Sequence, residues 1–116
     1  MGFEDLRSII SNRDLTLRDA MQCLLDLRPI EIEAYFALRE GSKDVKSLAE
    51  SINRNRSSAQ RILQNLVSKG LAYRKSLSKD EGGYYYKYYA SPEEGIKKKM
   101  KENLEDMYKR MSELLE

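Results

Sequence analysis

The chain has no histidine and no tryptophan, and only one cysteine. Without histidine, the commonest metal ligand and general base is missing. The lone Cys23 excludes an intramolecular disulfide and any cysteine cluster for zinc. No Ser/His or Cys/His pair, phosphate-cradling glycine loop or carboxylate pair in a recognisable setting is present, so no catalysis, metal or cofactor is expected. Long apolar runs are also missing. The opening "MGFEDLRSII" carries acids early, which argues against a signal peptide or membrane span and places the protein in the cytoplasm. Leu6 stands where a myristoylation signal requires Ser or Thr.

What is present suits a small helical protein. A length of 116 residues allows one compact domain, or one domain with an arm. An apolar share of 41% beside a charged share of 34% implies a modest core under a large exposed surface. The net charge of +2 conceals an uneven distribution. Residues 42–79 hold nine bases and two acids, whereas residues 1–41 hold five bases and eight acids. Localised basic charge is the footprint of a phosphate-binding surface.

Helical spacing of Phe3, Leu6, Ile9 and Ile10 predicts a first helix, broken at Ser11-Asn12. Thr16 with Asp19 forms a capping-box pattern for a second, which runs through Ala20, Met21, Leu24 and Leu25 toward Arg28-Pro29. Pro29 suits the first turn of "PIEIEAYFALRE", with Ile30, Ala34, Ala37 and Leu38 inward, Tyr35 alongside and Gly41 as stop. Asp44 caps "VKSLAESI", with Val45, Leu48, Ala49 and Ile52 inward. Asn55 caps the next helix, which stops at Gly70, and the short polar link between these two predicts a helix-turn-helix. Beyond Gly70, "LAYRKSLS" and "YYYKYYA" flank "KDEGG" as a hairpin with a loop of about five residues. Their alternation fixes no core-facing parity. Ser91, Pro92 and Glu94 then announce a long final helix.

The stretch "NRNRSSAQRILQNLVSKG", residues 53–70, carries the functional signal. On a helical wheel Ala59, Ile62, Leu63 and Leu66 share one face, and Ser57, Gln60, Arg61, Gln64 and Ser68 fall opposite. A solvated face is usually filled with Glu and Lys in cancelling pairs. Here no acid occurs, and Arg and Gln are the side chains that pair two hydrogen bonds with guanine or adenine edges. Two readings stand at this point, a duplex-reading face and an ordinary solvated one.

"PIEIEAYFAL", "VKSLAESINRNRSSAQRILQNLVSKGLA" and "GGYYYKYYASPEE" together resemble archaeal winged-helix transcriptional regulators of the TrmB type, related in shape to the MarR group. The resemblance spans about residues 25–116 and is most specific over 48–71. It implies a mainly α fold with a small β-hairpin, a recognition helix at 56–69, a wing at 71–90, and dimerisation through terminal helices. Carried over by position, Arg56, Ser57, Ser58, Gln60, Arg61 and Gln64 form the DNA-reading helix. Arg54 in the turn and Arg74, Lys75 and Lys79 in the wing are the expected phosphate contacts. The chain departs from the pattern at Arg54, where an apolar turn residue is usual, and at the acidic wing tip Asp80-Glu81. The effector-binding C-terminal domain of larger members has no counterpart, so sugar sensing is not carried over and any small-molecule effector is unknown.

Other features have competing accounts. The tyrosine run offers stacking platforms for single strands, or core and dimer filling in a strand that favours the residue. Cys23 reads as a small buried filler, with a redox role as the rival. Ile96, Met100, Leu104, Met107, Met111 and Leu114 recur in steps of four and three, a narrow coiled-coil-like seam. Mixed charge on its polar face argues against a membrane and for a partner helix, either from a second chain or from the N-terminal helices. The expected organisation is an N-terminal arm over residues 1–28, a winged helix-turn-helix over 29–90 and a dimerisation helix over 91–116. The expected function is a homodimeric regulator, by default a repressor, that binds pseudo-palindromic double-stranded DNA. A protein-binding adaptor of the basal transcription machinery is the alternative.

Overall fold

A computed structural model describes residues 16–116. The expected helix on Phe3, Leu6, Ile9 and Ile10 lies outside them. The described residues form five helices and two strands, divided between two compact units. One unit is built on Ile30–Pro92 and the other holds the terminal segments.

In the terminal unit, α1 spans Leu17–Leu25 and α5 spans Glu93–Leu114. The capping box at the start of α1 is complete. Thr16 Oγ1 accepts the Asp19 amide at 3.2 Å, while Asp19 Oδ2 accepts the Thr16 amide at 3.1 Å. The helix ends at Leu25, short of Arg28, because Asp26 turns left-handed at φ 53°. α5 begins at Glu93, one residue later than the Ser91-Pro92 signature predicts. At 22 residues it is about 33 Å long. Asn103 Nδ2 donates to the Leu24 carbonyl at 3.0 Å and so ties α5 to the open C-terminal end of α1. Cys23 is half-buried, not the buried filler expected: in this short helix only Met21 and Leu25 are fully enclosed.

The Ile30–Pro92 unit stacks α2 (Pro29–Glu40), α3 (Val45–Ile52) and α4 (Arg56–Ser68) with a hairpin of β1 (Ala72–Ser78) and β2 (Tyr84–Ala90). α2 buries Ile32, Ala34, Tyr35 and Leu38, and leaves Ile30 and Ala37 only half-buried. Tyr35, expected beside the core, is inside it because its hydroxyl reaches the Ser91 carbonyl at 3.2 Å. Gly41 follows the end of α2 without a positive φ, so it does not supply a left-handed cap.

Caps set both ends of the central pair. Asp44 accepts the Ser47 amide at 2.7 Å and Asn55 accepts the Ser58 amide at 2.8 Å. Between α3 and α4 lie only three residues, Asn53, Arg54 and Asn55. Asn53 adopts φ 54°, and the Arg54 amide returns to the Ala49 carbonyl at 3.0 Å, the reversal that turns one helix into the next. α4 closes in the same way, with Gly70 at φ 76° and the Leu71 amide on the Leu66 carbonyl at 2.9 Å. Ala59, Ile62, Leu63 and Leu66 are buried, as the wheel requires, and join Leu48, Ala49 and Ile52 of α3 in the core.

The strands pair antiparallel in the register Ala72↔Ala90 through Ser78↔Tyr84, leaving a five-residue loop, Lys79 to Gly83. A bridge from Lys43 extends the pairing: its amide bonds the Tyr88 carbonyl at 3.0 Å, and the Tyr88 amide returns at 2.7 Å. Ala72, Arg74, Tyr84, Tyr86 and Tyr88 share one face of the hairpin, and Tyr73, Lys75, Leu77, Tyr85, Lys87 and Tyr89 share the other. Only the first face reaches the core, through Ala72 and Tyr88. No helix among the described residues is long and apolar enough to cross a membrane.

Candidate nucleic-acid interface

From Ser51 to Lys79 the chain contains no acidic residue. α4 lies within this stretch and divides it by face. Its apolar stripe is buried, while Arg56, Ser57, Arg61, Gln64 and Ser68 are exposed. Arg56, Ser57, Gln60 and Arg61 border one shallow hollow on the first two turns. Gln64 stands a turn further along the same side. Ser58 and Gln60 are half-buried, so both are less accessible than their place in the reading face implies. Gln60 Nε2 donates to the Tyr88 hydroxyl at 3.4 Å, which ties that amide to the hairpin.

A buried polar contact holds α4 from behind. Asn65 Nδ2 donates to the Glu31 carboxylate on α2, and Glu31 is only 1% exposed. Among the described residues Glu31 is the one charged side chain that is fully buried. Its partner sits 34 positions away, beyond the reach of any local signal.

The hairpin divides the expected wing contacts between its two faces. Arg74 lies on the α4-facing side, its guanidinium 4.2 Å over the Tyr86 ring. Lys75 lies on the other side, 5.3 Å from the centre of the Tyr89 ring, which stacks on Tyr73. Lys79 opens the loop, and its amide bonds the Gly83 carbonyl at 3.0 Å. Arg54 is exposed in the turn, where its guanidinium donates to the Asn53 carbonyl at 3.2 Å. The fold thus brings Arg56, Gln60, Arg74 and Lys79 around one cleft between α4 and the hairpin, and leaves Arg54, Gln64 and Lys75 outside it. Lys46, at the head of α3, joins that cleft and was not anticipated from sequence. Its place depends on how α3 meets the hairpin, and its own neighbours in sequence give no hint of that.

The carboxylate beside these bases is Asp44, which caps α3. The Ser47 amide holds it below its ordinary value of 3.8 against the opposing effect of burial, helped by the Ser47 side chain, Lys46 and Arg56. Asp44 is therefore an anion at neutral pH, and it offsets one of the four cations. No cluster of residues able to hold a metal ion occurs among the described residues.

Three helices whose last two form a helix-turn-helix, followed by a hairpin, define a winged helix. Residues 21–94 match the profile of the family described as sugar-specific transcriptional regulator TrmB, and the chain belongs to that family. Uncharacterized protein MJ1503 of Methanocaldococcus jannaschii is 37% identical over 102 residues, which cover 87% of this chain and 77% of that one. A possible transcriptional regulator from Methanosarcina mazei shares the fold at a TM-score of 0.75 and 20% identity, covering 90% of this chain and 92% of its own. A MepR variant of S. aureus, solved bound to an oligodeoxyribonucleotide, matches at a TM-score of 0.56 and 19% identity over 99% of this chain and 82% of its own.

Proposed function

We propose that the protein is a sequence-specific double-stranded DNA-binding regulator that acts as a homodimer in the cytoplasm. The observation that carries this reading is the acid-free, exposed face of α4 beside a hairpin that supplies further cations. A helix of 13 residues is about 20 Å long and fits a major groove. There Arg61 and Gln64 meet base edges, while Arg56 and Ser57, at the amide-rich N-terminus of α4, meet phosphate oxygens.

Two copies related by a twofold axis meet half-sites about 34 to 36 Å apart, or a multiple of that spacing, so the target is a pseudo-palindrome. Lys75, Lys79 and Arg54 add sequence-independent attraction. Repression by occlusion of polymerase is the default consequence of occupying a promoter. Repeated selection of bound duplexes from a random pool, at stated salt, tests the reading directly. Enrichment of a twofold-symmetric motif is expected; a pool that stays random after several rounds, with polymerase subunits co-purifying instead, would favour the adaptor alternative.

A further inference from the structure

The cleft between α4 and the hairpin is larger than a phosphate contact requires. Its volume is about 760 Å³, within the range of small-molecule sites, about 300 to 1,000 Å³. Four cations line it, Lys46, Arg56, Arg74 and Lys79, against the single carboxylate of Asp44. That carboxylate is already engaged by the Ser47 amide. An anion is therefore the occupant that the charge favours.

The walls carry a second kind of chemistry. Tyr84 and Tyr86 border the cleft and remain 68% and 42% exposed. Exposed rings beside a concave cationic surface are available to stack on a planar ligand. The Tyr86 ring also fixes Arg74, since a guanidinium 4.2 Å above the ring is held flat by cation–π attraction. A duplex phosphodiester would use the cations and leave the rings idle. A ligand that joins a planar ring to a phosphate uses both.

We infer that this cleft binds a small organic anion of that kind, a mononucleotide being the simplest example, and that the bound anion and duplex DNA exclude one another. The binding half stands on the cleft alone. The exclusion half rests on the DNA reading above, because Arg56 and Lys79 line the cleft and would serve both occupants.

The full chain is titrated calorimetrically with adenosine monophosphate, and in parallel with ribose 5-phosphate and inorganic phosphate, at constant ionic strength. The expected result is saturable one-to-one binding of the nucleotide, at least about tenfold tighter than either probe that lacks the ring. Arg74→Ala and Tyr86→Leu weaken it about tenfold, and Tyr86→Phe retains it. Arg74 and Tyr86 are exposed, so these variants keep the parental melting temperature. Equal, non-saturating heats for all three probes overturn the site. In the second arm the nucleotide displaces a labelled duplex at fixed ionic strength. Nucleotide binding without displacement overturns the exclusion, while nucleotide binding by a chain that binds no duplex at all overturns the DNA reading and leaves the cleft proposal standing.

Discussion

Arg61 and Lys75 are both exposed cations, yet they stand in different settings, and the proposed DNA reading gives them different purposes. Arg61 projects from the second turn of α4 beside Arg56 and Ser57, and in the proposed complex its planar fork would meet a base edge. Lys75 lies on the face of the hairpin away from α4, near two tyrosine rings, and in the same proposed complex its point charge would meet only the phosphate backbone. Arg61→Ala is therefore expected to cost about 1 to 3 kcal/mol of duplex affinity and to relax preference at one base position. Lys75→Ala weakens all sequences alike and lowers the slope of log affinity against log salt by about one unit. Salt-titrated binding to a selected site and to scrambled duplexes separates the two effects, and parental behaviour of both variants would reject the site. Asp44 makes a prediction about stability instead. Its carboxyl lies below 3.8 in the folded chain, so the charge-dependent part of its cap is complete above that value and fades as pH falls through the lower folded pKa. Asp44→Ala should thus cost about 0.5 to 2 kcal/mol at neutral pH. The gap narrows as pH falls below 3.8 in urea unfolding, and a gap independent of pH would show that the charge contributes nothing.

Helix α4 is held by two devices of different legibility. Its ends were readable: Asn55 caps the start, and Gly70, at φ 76°, closes the finish. A Cβ at Gly70 would meet nothing within 4 Å, so Gly70→Ala is penalised through the backbone alone, by about 1 to 2 kcal/mol. A larger loss on thermal unfolding would point to packing instead. Thr16 with Asp19, Asp44, and the five-residue hairpin loop were equally open to reading, because caps and turns are set by side chains within a few positions. The other device, the contact of Asn65 with buried Glu31, was hidden, since acidic residues in helical patterns ordinarily face water. The hairpin's parity was hidden for a related reason. Tyrosines occupy both faces of β2, and the choice of Tyr88 as the buried one follows from the bridge to Lys43, not from alternation. Arg74, Lys46 and Tyr86 likewise meet only after three polar segments have been packed together. Asn65→Leu removes a donor from a buried carboxylate and should destabilise the fold by about 1 to 3 kcal/mol. If α4 is seated by this contact, duplex discrimination drops in the same variant at temperatures where it remains folded; full discrimination would make the pair a matter of stability alone.

At the scale of the whole molecule, the seam along α5 changes character partway. Ile96 and Met100 are buried within the single chain, at 4% and 5% exposure, and so are occupied before any partner arrives. Beyond them Leu104, Met111, Leu114 and Leu115 are 52%, 41%, 83% and 87% exposed, with Met107 half-buried between. Salt bridges from Lys97 to Glu93 at 3.3 Å and from Arg110 to Asp106 at 3.2 Å lie along the polar side. They join residues of one helix, four positions apart, and contribute only a few tenths of a kcal/mol to it. A helix whose outer half shows an apolar ridge in water is stabilised chiefly by covering that ridge. The same ridge on a second copy is the simplest cover, because a twofold axis matches each surface with itself. Leu104→Lys with Met107→Lys places two like charges per chain on that contact, and desolvating them costs more than the seam returns. The double variant is expected to sediment as a monomer at concentrations where the parent is a dimer. It should retain the parental helical content and bind an isolated half-site as the parent does. On the full pseudo-palindrome it should lose the advantage of two linked contacts, a factor of about 10² or more. A variant that remains dimeric would move the interface away from α5, and a parent that is monomeric while still binding the full site would remove the twofold arrangement from the proposed function.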